Sequence, residues 1–495
     1  MLRVRSICRS VAFVACVGVV AVATALNAAP AFARDGGGGH DGRGRGGDDH
    51  EHARHPNVPI PLVTGPVTGG KGVPFTVDDI SQLPAFGYVQ QEYFLQGTAR
   101  AFTKVGTWTA DGEWRAAPST TAAYKTRIIV RKPADPKRFN GTVFVEWNNV
   151  SAGFDAGADW DFGRQELLRE GFAYVGVSAQ FVGVDGSGGV AGIGPLKKSD
   201  PVRYGSLVHP GDSYSYDIFS QAGAALLHPN GVDPLAGLHV ERLLAAGESQ
   251  SAFRMLTYVN AVDPLARVYD GFLIHSRFAN AAPLFEGLGG EVPGPTRIRT
   301  DLRVPVLQFE SETDIVRAYQ ARQPDNDLFR SWEVAGTSHA DLYSVGAAAV
   351  SLLGCTVRIN EGPEHYVLHA AIHDLNEWAR DHDDAPPHSP RIELDANGNV
   401  VRDRFGNALG GIRTPQLDVP IATLTGINNE TNGFCGLFGE TIPFSAATLK
   451  SLYPTHADYV AKFDHAAHEA RERGFLLRPD VEEMEATAAA APIPA

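Results

Sequence analysis

The sequence predicts an α/β fold: a mostly parallel central sheet with helices on both faces. Three observations predict it. Short apolar runs rich in β-branched residues recur from about residue 120 onward. Segments of helical character separate them, as the crossovers of a parallel sheet require. Small, polar turns close several of the runs, and these turns carry the side chains best suited to chemistry.

In order, residues 126–131 (TRIIVR) and 142–147 (TVFVEW) read as strands joined by a turn-rich connection. Residues 162–170 suit a helix and 172–178 (FAYVGVS) a strand. A helix is expected over 213–227, a short strand over 241–246 and a helix from about 250 to 260. Further strands are expected at 268–275 (VYDGFLIH), 304–309 (VPVLQF) and 331–335 (SWEVA). The rhythm breaks after residue 355. Residues 365–382 look helical, and 391–401 (RIELDANGNVV) read as a hairpin turning at Asn397-Gly398. Asp395, Asn397 and Asn399 imitate the start of a calcium loop, but the glycine falls at the wrong place and the closing Glu is missing. Residues 59–485 are thus expected to form one domain, its part from 355 wrapping the core, with 486–495 as a flexible tail.

Composition narrows the function classes. The 495 residues suffice for one large domain or two modest ones, and 43% hydrophobic with 20% charged residues is ordinary globular composition. A net charge of −14 offers no basic footprint, so no nucleic-acid partner is expected. Arg3, Arg5 and Arg9, the apolar run 11–26 and Ala31-Phe32-Ala33 read as a cleaved signal peptide over 1–33. The run is shorter than the ~20 residues of a spanning helix, so no stable membrane span is expected. The mature chain would start near Arg34 and be secreted or lie in the periplasm or cell envelope. Cys8 and Cys16 leave with the signal, and an exported chain favours a bridge between the remaining Cys355 and Cys435. Residues 34–58 read as a disordered Gly-, Asp-, Arg- and His-rich linker. Its His40, His50, His52 and His55 are scattered without a fixed coordination shell, so neither a metal site nor a cofactor is expected.

Gly247-Glu248-Ser249-Gln250-Ser251 follows the strand RLLAA and precedes the helix-like SAFRMLTYV. A strand–turn–helix context of this kind lifts a serine hydroxyl out of a sheet, and its crowding demands small residues two before and two after. Gly247 meets that demand; Ser251 stands where a second glycine is usual. Ser249 is the candidate nucleophile, and the Gln250 backbone N–H a candidate oxyanion donor. Gly211-Asp212-Ser213-Tyr214-Ser215 has the same spacing, yet it follows Pro210 and a polar stretch, so Asp212 or Ser213 reads as a helix N-cap. An acid is expected beyond VPVLQF, where Asp314 leads on its distance from Pro305 and Glu312 and Glu310 stay as alternatives. His339 follows the last strand in a glycine-containing turn and would serve as base. Asn148 and Asn149, beyond TVFVEW, are candidates for a second oxyanion donor, through backbone or side chain.

EWNNVSAG (146–153), GESQSA (247–252), ESETD (310–314), GTSHAD (336–341), GGIRTPQLDVP (410–420) and LYPTHADYV (452–460) together resemble a bacterial secreted group of large α/β-hydrolase-domain proteins. The resemblance spans about residues 60–480. It implies the α/β-hydrolase fold in one catalytic unit that includes the C-terminal third, and an esterase-like activity without a named substrate. It also implies one Cys after the His motif (Cys355) and another before LFGET (Cys435). The expected function is hydrolysis of a small or polymeric carboxylic ester through an acyl-enzyme. Hydrolysis of an amide, lactone or thioester on the same groups, and a catalytically silent binding protein of this fold, are the alternatives.

Overall fold

The computed structural model describes residues 56–190, 192–285, 292–428, 430 and 433–493. The expected signal peptide and residues 34–55 of the expected linker lie outside them. The expected boundary at residue 59 falls slightly late: the Asn57 N–H donates to the Ala266 carbonyl at 3.0 Å, and Val58 is already in the core.

Among the described residues ten strands form one sheet in the order β10-β9-β8-β7-β4-β5-β3-β2-β1-β6. They are β1 (Leu62–Thr64), β2 (Tyr88–Val105), β3 (Arg115–Pro133), β4 (Thr142–Trp147), β5 (Ala173–Val177), β6 (Asn230–Gly231), β7 (Arg242–Glu248), β8 (Gly271–His275), β9 (Val306–Ser311) and β10 (Phe329–Val334). Strands β5, β4, β7, β8, β9 and β10 pair in parallel, whereas β3 and β2 continue the sheet antiparallel. The parallel strands are buried along their whole length, which is why they read as continuous apolar runs. The long β2–β3 ribbon went unforeseen except for 126–131. Gln90, Gln91, Gln96, Gly97 and Thr98 interrupt the apolar pattern of β2, and its pairing with β3 is a tertiary fact.

Alternate side chains of the parallel strands feed two cores. On one face Val143, Val145, Val175, Leu243, Ala245, Phe272 and Ile274 meet α2 (Ser215–Leu227) and α3 (Gln250–Thr257). On the other, Phe144, Tyr174, Leu244, Ala246, Leu273, Leu307 and Phe309 meet α1 (Ala158–Arg169) and α6 (Glu364–Arg380). Two shorter helices, α4 (Glu312–Ala318) and α5 (Leu342–Leu353), follow β9 and the turn after β10.

The last third belongs to the same core. Ile412 exchanges backbone bonds with Glu333 and Ala335, covering the β10 edge. The 391–401 hairpin forms, with Leu394 opposite Val400, and Asp395 accepts the Asn397 and Asn399 N–H groups at 2.8 and 2.9 Å. Strands β11 (Ala422–Thr425) and β12 (Glu440–Pro443) form a second small sheet. Helices α7 (His456–Glu472) and α8 (Arg478–Ala490) pack on the α6 side. The expected flexible tail at 486–495 is a correction: α8 runs to Ala490, and Ala488 and Ile493 are buried, because an alanine-rich run is a good helix former once one face finds a core. Among the described residues no helix is long and apolar enough to cross a membrane.

Cys355 and Cys435 are bridged, with 5.5 Å between their Cα atoms and a sequence separation of 80. Closing a loop of that length removes denatured-state entropy worth about 4 kcal/mol in the chain-entropy account. Urea unfolding of the Cys355→Ser/Cys435→Ser double variant should therefore show stability lower by ~4 kcal/mol with the native circular dichroism retained; a loss under ~1 kcal/mol would mean the bridge constrains little.

Candidate active site

Ser249 stands between the buried end of β7 and the first turn of α3, with φ +57° and ψ −118°. A non-glycine residue in this region is strained, by about 1–3 kcal/mol. Its N–H donates to the His275 carbonyl at 3.0 Å, and its own carbonyl accepts from the Phe253 N–H at 3.2 Å, so both sides of the turn are tied down. A Cβ on Gly247 would come within 3.0–3.2 Å of Ser251, which is the crowding that a small residue relieves. Ser251 itself is fully buried. Ser249 remains partly exposed. By contrast, Ser213 lies in a 3₁₀ turn, Asp212–Tyr214, where Asp212 accepts the Phe181 N–H at 2.8 Å ahead of α2.

The other two expected groups come from neighbouring strand ends. His339 Nε2 is 2.7 Å from Ser249 Oγ, and His339 Nδ1 is 2.6 Å from Asp314 Oδ1. Asp314 occupies the third position of α4, and its Oδ2 accepts the Ser311 hydroxyl at 2.5 Å and the Ser311 N–H at 3.1 Å. A capping box thus orients the carboxylate before the histidine reaches it. Burial alone would raise the Asp314 pKa; the His339 ring and these hydrogen bonds outweigh it and hold the carboxyl below its usual range. Burial opposes charge on His339, yet Asp314 and Glu248 carry its pKa above the ordinary imidazole value.

The alternative acids do different work. Glu312 points away from the ring: one oxygen accepts the Gly336 N–H at 3.2 Å, the other accepts Arg402 at 2.6 Å, Thr425 at 3.0 Å and the Gly426 N–H at 3.2 Å. It fastens the histidine turn to the C-terminal third. Glu310 is fully buried, 3.8 Å from Arg277, with its pKa pushed far up first by burial and then by Asp314.

The backbone N–H groups proposed beyond β4 are already used. Asn148 donates to the Val177 carbonyl at 3.2 Å and Asn149 to the Ala156 carbonyl at 2.9 Å. The Asn148 amide lies against Asp155, and Asn149 Nδ2 donates to the Glu248 carbonyl at 3.1 Å and to Glu248 Oε2 at 3.0 Å. Asn149 therefore braces the turn while Asn148 ties the loop to β5 and Asp155, because sheet pairing and a loop bridge take the backbone donors that a bare Asn turn would leave open. Gln250 is the first residue of α3, where a helix leaves its N–H without an internal acceptor.

Two groups escaped the sequence reading. Glu248 is buried, with Oε1 3.3 Å from His339 Nε2. Burial raises its pKa to about 7; His339 and His275 pull against the rise, and Asp159 and Asp314 add to it. His275, at the end of β8, is held between Asp159 on Nδ1 (2.9 Å) and Glu364 on Nε2 (3.1 Å), all fully buried. Burial opposes its charge, but the two acids win and its pKa lies well above the ordinary value. Its carbonyl is the acceptor for the Ser249 N–H. The only sequence signal was a polar residue closing an apolar strand, which does not disclose partners 116 and 89 residues away.

Residues 63–486 match the family described as an alpha/beta hydrolase domain. The chain belongs to that family. The alpha/beta hydrolase domain thus spans the ribbon, the parallel strands and the C-terminal third together. Among curated proteins nothing matches. Solved structures with similarity include fungal esterases from Rhizomucor miehei, 12% identical over 63% of this chain and 94% of theirs, with a TM-score of 0.29. An esterase from Pyrococcus furiosus is 11% identical over 54% of this chain and 87% of its own, with a TM-score of 0.28. A serine hydrolase without lid from Xanthomonas campestris is 12% identical over 49% of this chain and 86% of its own, with a TM-score of 0.26.

The geometry assigns different consequences to the acids of 310–314. Asp314→Asn should slow covalent labelling of Ser249 by a fluorophosphonate roughly 10³–10⁴-fold, because the amide can hold the wrong imidazole tautomer. Glu312→Gln should instead lower unfolding stability by roughly 2 kcal/mol while folded protein still labels. Rapid labelling by Asp314→Asn, measured by intact mass, would contradict the assignment.

Proposed function

We propose that the protein is a serine hydrolase of carboxylic esters, with Ser249 as nucleophile, His339 as general base and acid, and Asp314 as the carboxylate that orients the ring. The observation that carries the reading is the unbroken chain from Ser249 Oγ to His339 Nε2 (2.7 Å) and from Nδ1 to Asp314 (2.6 Å). Ser249 Oγ attacks the ester carbonyl carbon as its proton passes to Nε2. The tetrahedral oxyanion forms beside the Gln250 N–H, in line with the start of α3. Collapse breaks the bond to the alcohol oxygen, which leaves with the proton from Nε2. Water then repeats the sequence on the acyl-enzyme, losing its proton to Nε2 and releasing the carboxylic acid and Ser249. The half-buried Phe278 ring lies 5.5 Å from the His339 ring and 5.6 Å from that of Phe253, an apolar wall suited to an acyl or alcohol group.

Export is part of the same proposal. The disulfide is compatible with an oxidising compartment, and the N-terminal 33 residues carry the charge, apolar run and A-x-A site of a cleaved signal.

An aryl-ester panel of increasing acyl length, run on protein recovered from the exported fraction and N-terminally sequenced, tests both statements. The expected N-terminus is near Arg34, and Ser249→Ala should lose on the order of 10⁴–10⁶ in kcat with its circular dichroism unchanged. Ester turnover that survives in Ser249→Ala would refute the nucleophile. Phosphonate labelling without ester turnover would move the reading to amides, lactones or thioesters.

A further inference from the structure

Glu248 is the residue immediately before the nucleophile, and its side chain does not lie in solvent. The Asn149 amide grips it twice, at the Glu248 carbonyl (3.1 Å) and at Oε2 (3.0 Å), which leaves Oε1 turned to His339 Nε2 at 3.3 Å. Nε2 therefore faces two oxygens, the Ser249 hydroxyl at 2.7 Å and the Glu248 carboxyl at 3.3 Å. A carboxylate and an unprotonated Nε2 are both acceptors, so this approach is favourable only with a proton between them. It is favourable in the state that catalysis creates, in which Nε2 has just taken the serine proton.

We propose that Glu248 is a second carboxylate partner of His339, acting at Nε2 as Asp314 acts at Nδ1, and that it stabilises the imidazolium formed when Ser249 gives up its proton. The inference rests on the serine-hydrolase reading above. No group is consumed: the proton moves from Ser249 Oγ to Nε2 and on to the leaving oxygen, while Glu248 keeps its charge beside the ring. The same contact has a cost in the free enzyme. A proton held between Nε2 and Glu248 must leave before His339 can act as base, so the acid limb of activity moves to higher pH. The titratable groups around Glu248 come from four elements: His339 after β10, Asp314 on α4, His275 at the end of β8 and Asp159 on α1. Of these, His339 and His275 favour its ionised form and the two aspartates oppose it. Burial is the largest influence and also opposes it, which places the carboxyl near the middle of the working range.

The test is the pH dependence of the second-order rate of Ser249 labelling by a fluorophosphonate, read by intact mass, alongside kcat/KM on an aryl ester. In the wild type the acid limb should lie above the ordinary imidazole value of about 6.5. Glu248→Gln and Glu248→Ala should move that limb down by about one pH unit and lower the plateau roughly 10–100-fold. Glu248→Asp, which keeps the charge, should stay nearer the wild-type limb than either. A group that merely packs the turn would change the plateau and leave the limb in place, and that result overturns the proposal. So does a wild-type limb at or below about 6.5, which needs no variant to fold. No labelling of wild-type Ser249 at any pH overturns the serine-hydrolase reading itself, and this inference with it.

Discussion

A serine at φ +57° between a buried strand and a helix is a conformation the chain does not choose for itself. It persists because everything around it is already committed. The Ser249 N–H is held by the His275 carbonyl of the next strand, and Asn149, just beyond the strand on the other side, grips Glu248. Gly247 gives the room that Ser251 takes up. The strain is met by the parallel sheet, whose strands β4, β7 and β8 are buried throughout. The turn is consequently rigid before any substrate arrives, which is the condition for positioned donors to act on a developing charge.

The acid and histidine turns depend on the C-terminal third in a comparable way. Glu312 joins the Gly336 N–H to Arg402, Thr425 and Gly426. Asn360 donates to the Gly336 and Thr425 carbonyls, both at 3.0 Å, and the Ser338 hydroxyl lies 3.2 Å from the Phe438 carbonyl. The disulfide closes at Cys435, three residues before Phe438, and so fixes the segment against which the histidine turn rests. Below the site, His275 with Asp159 and Glu364 forms a buried hydrogen-bonded layer. Removing one member would leave a buried polar partner unsatisfied directly under the strand end that orients Ser249.

What was legible in the sequence was local. The parallel strands announce themselves as short continuous apolar runs, and the turns carrying Ser249, Asp314 and His339 stand at the ends of those runs in chain order. The 391–401 hairpin was readable from Asn397-Gly398. What was not legible was anything decided by a distant partner. Strand β2 reads as polar because its ladder to β3 supplies the bonding. Asn148 and Asn149 offered free donors until Val177 and Ala156 claimed them. Among Glu310, Glu312 and Asp314, spacing could rank but not decide, since Glu312 turns toward Arg402 and Glu310 toward Arg277 only in three dimensions. Glu248 and His275 were invisible for the same reason.

In the proposed reaction Ser249 carries the acyl group between two half-reactions. Acid-quenching the protein during turnover of a slowly deacylating aryl ester, followed by peptide mass spectrometry, tests it directly. An acyl mass increment is expected on the peptide containing Ser249, appearing and decaying with turnover and missing from Ser249→Ala. Steady turnover with no covalent increment, or an increment confined to another residue, would contradict it.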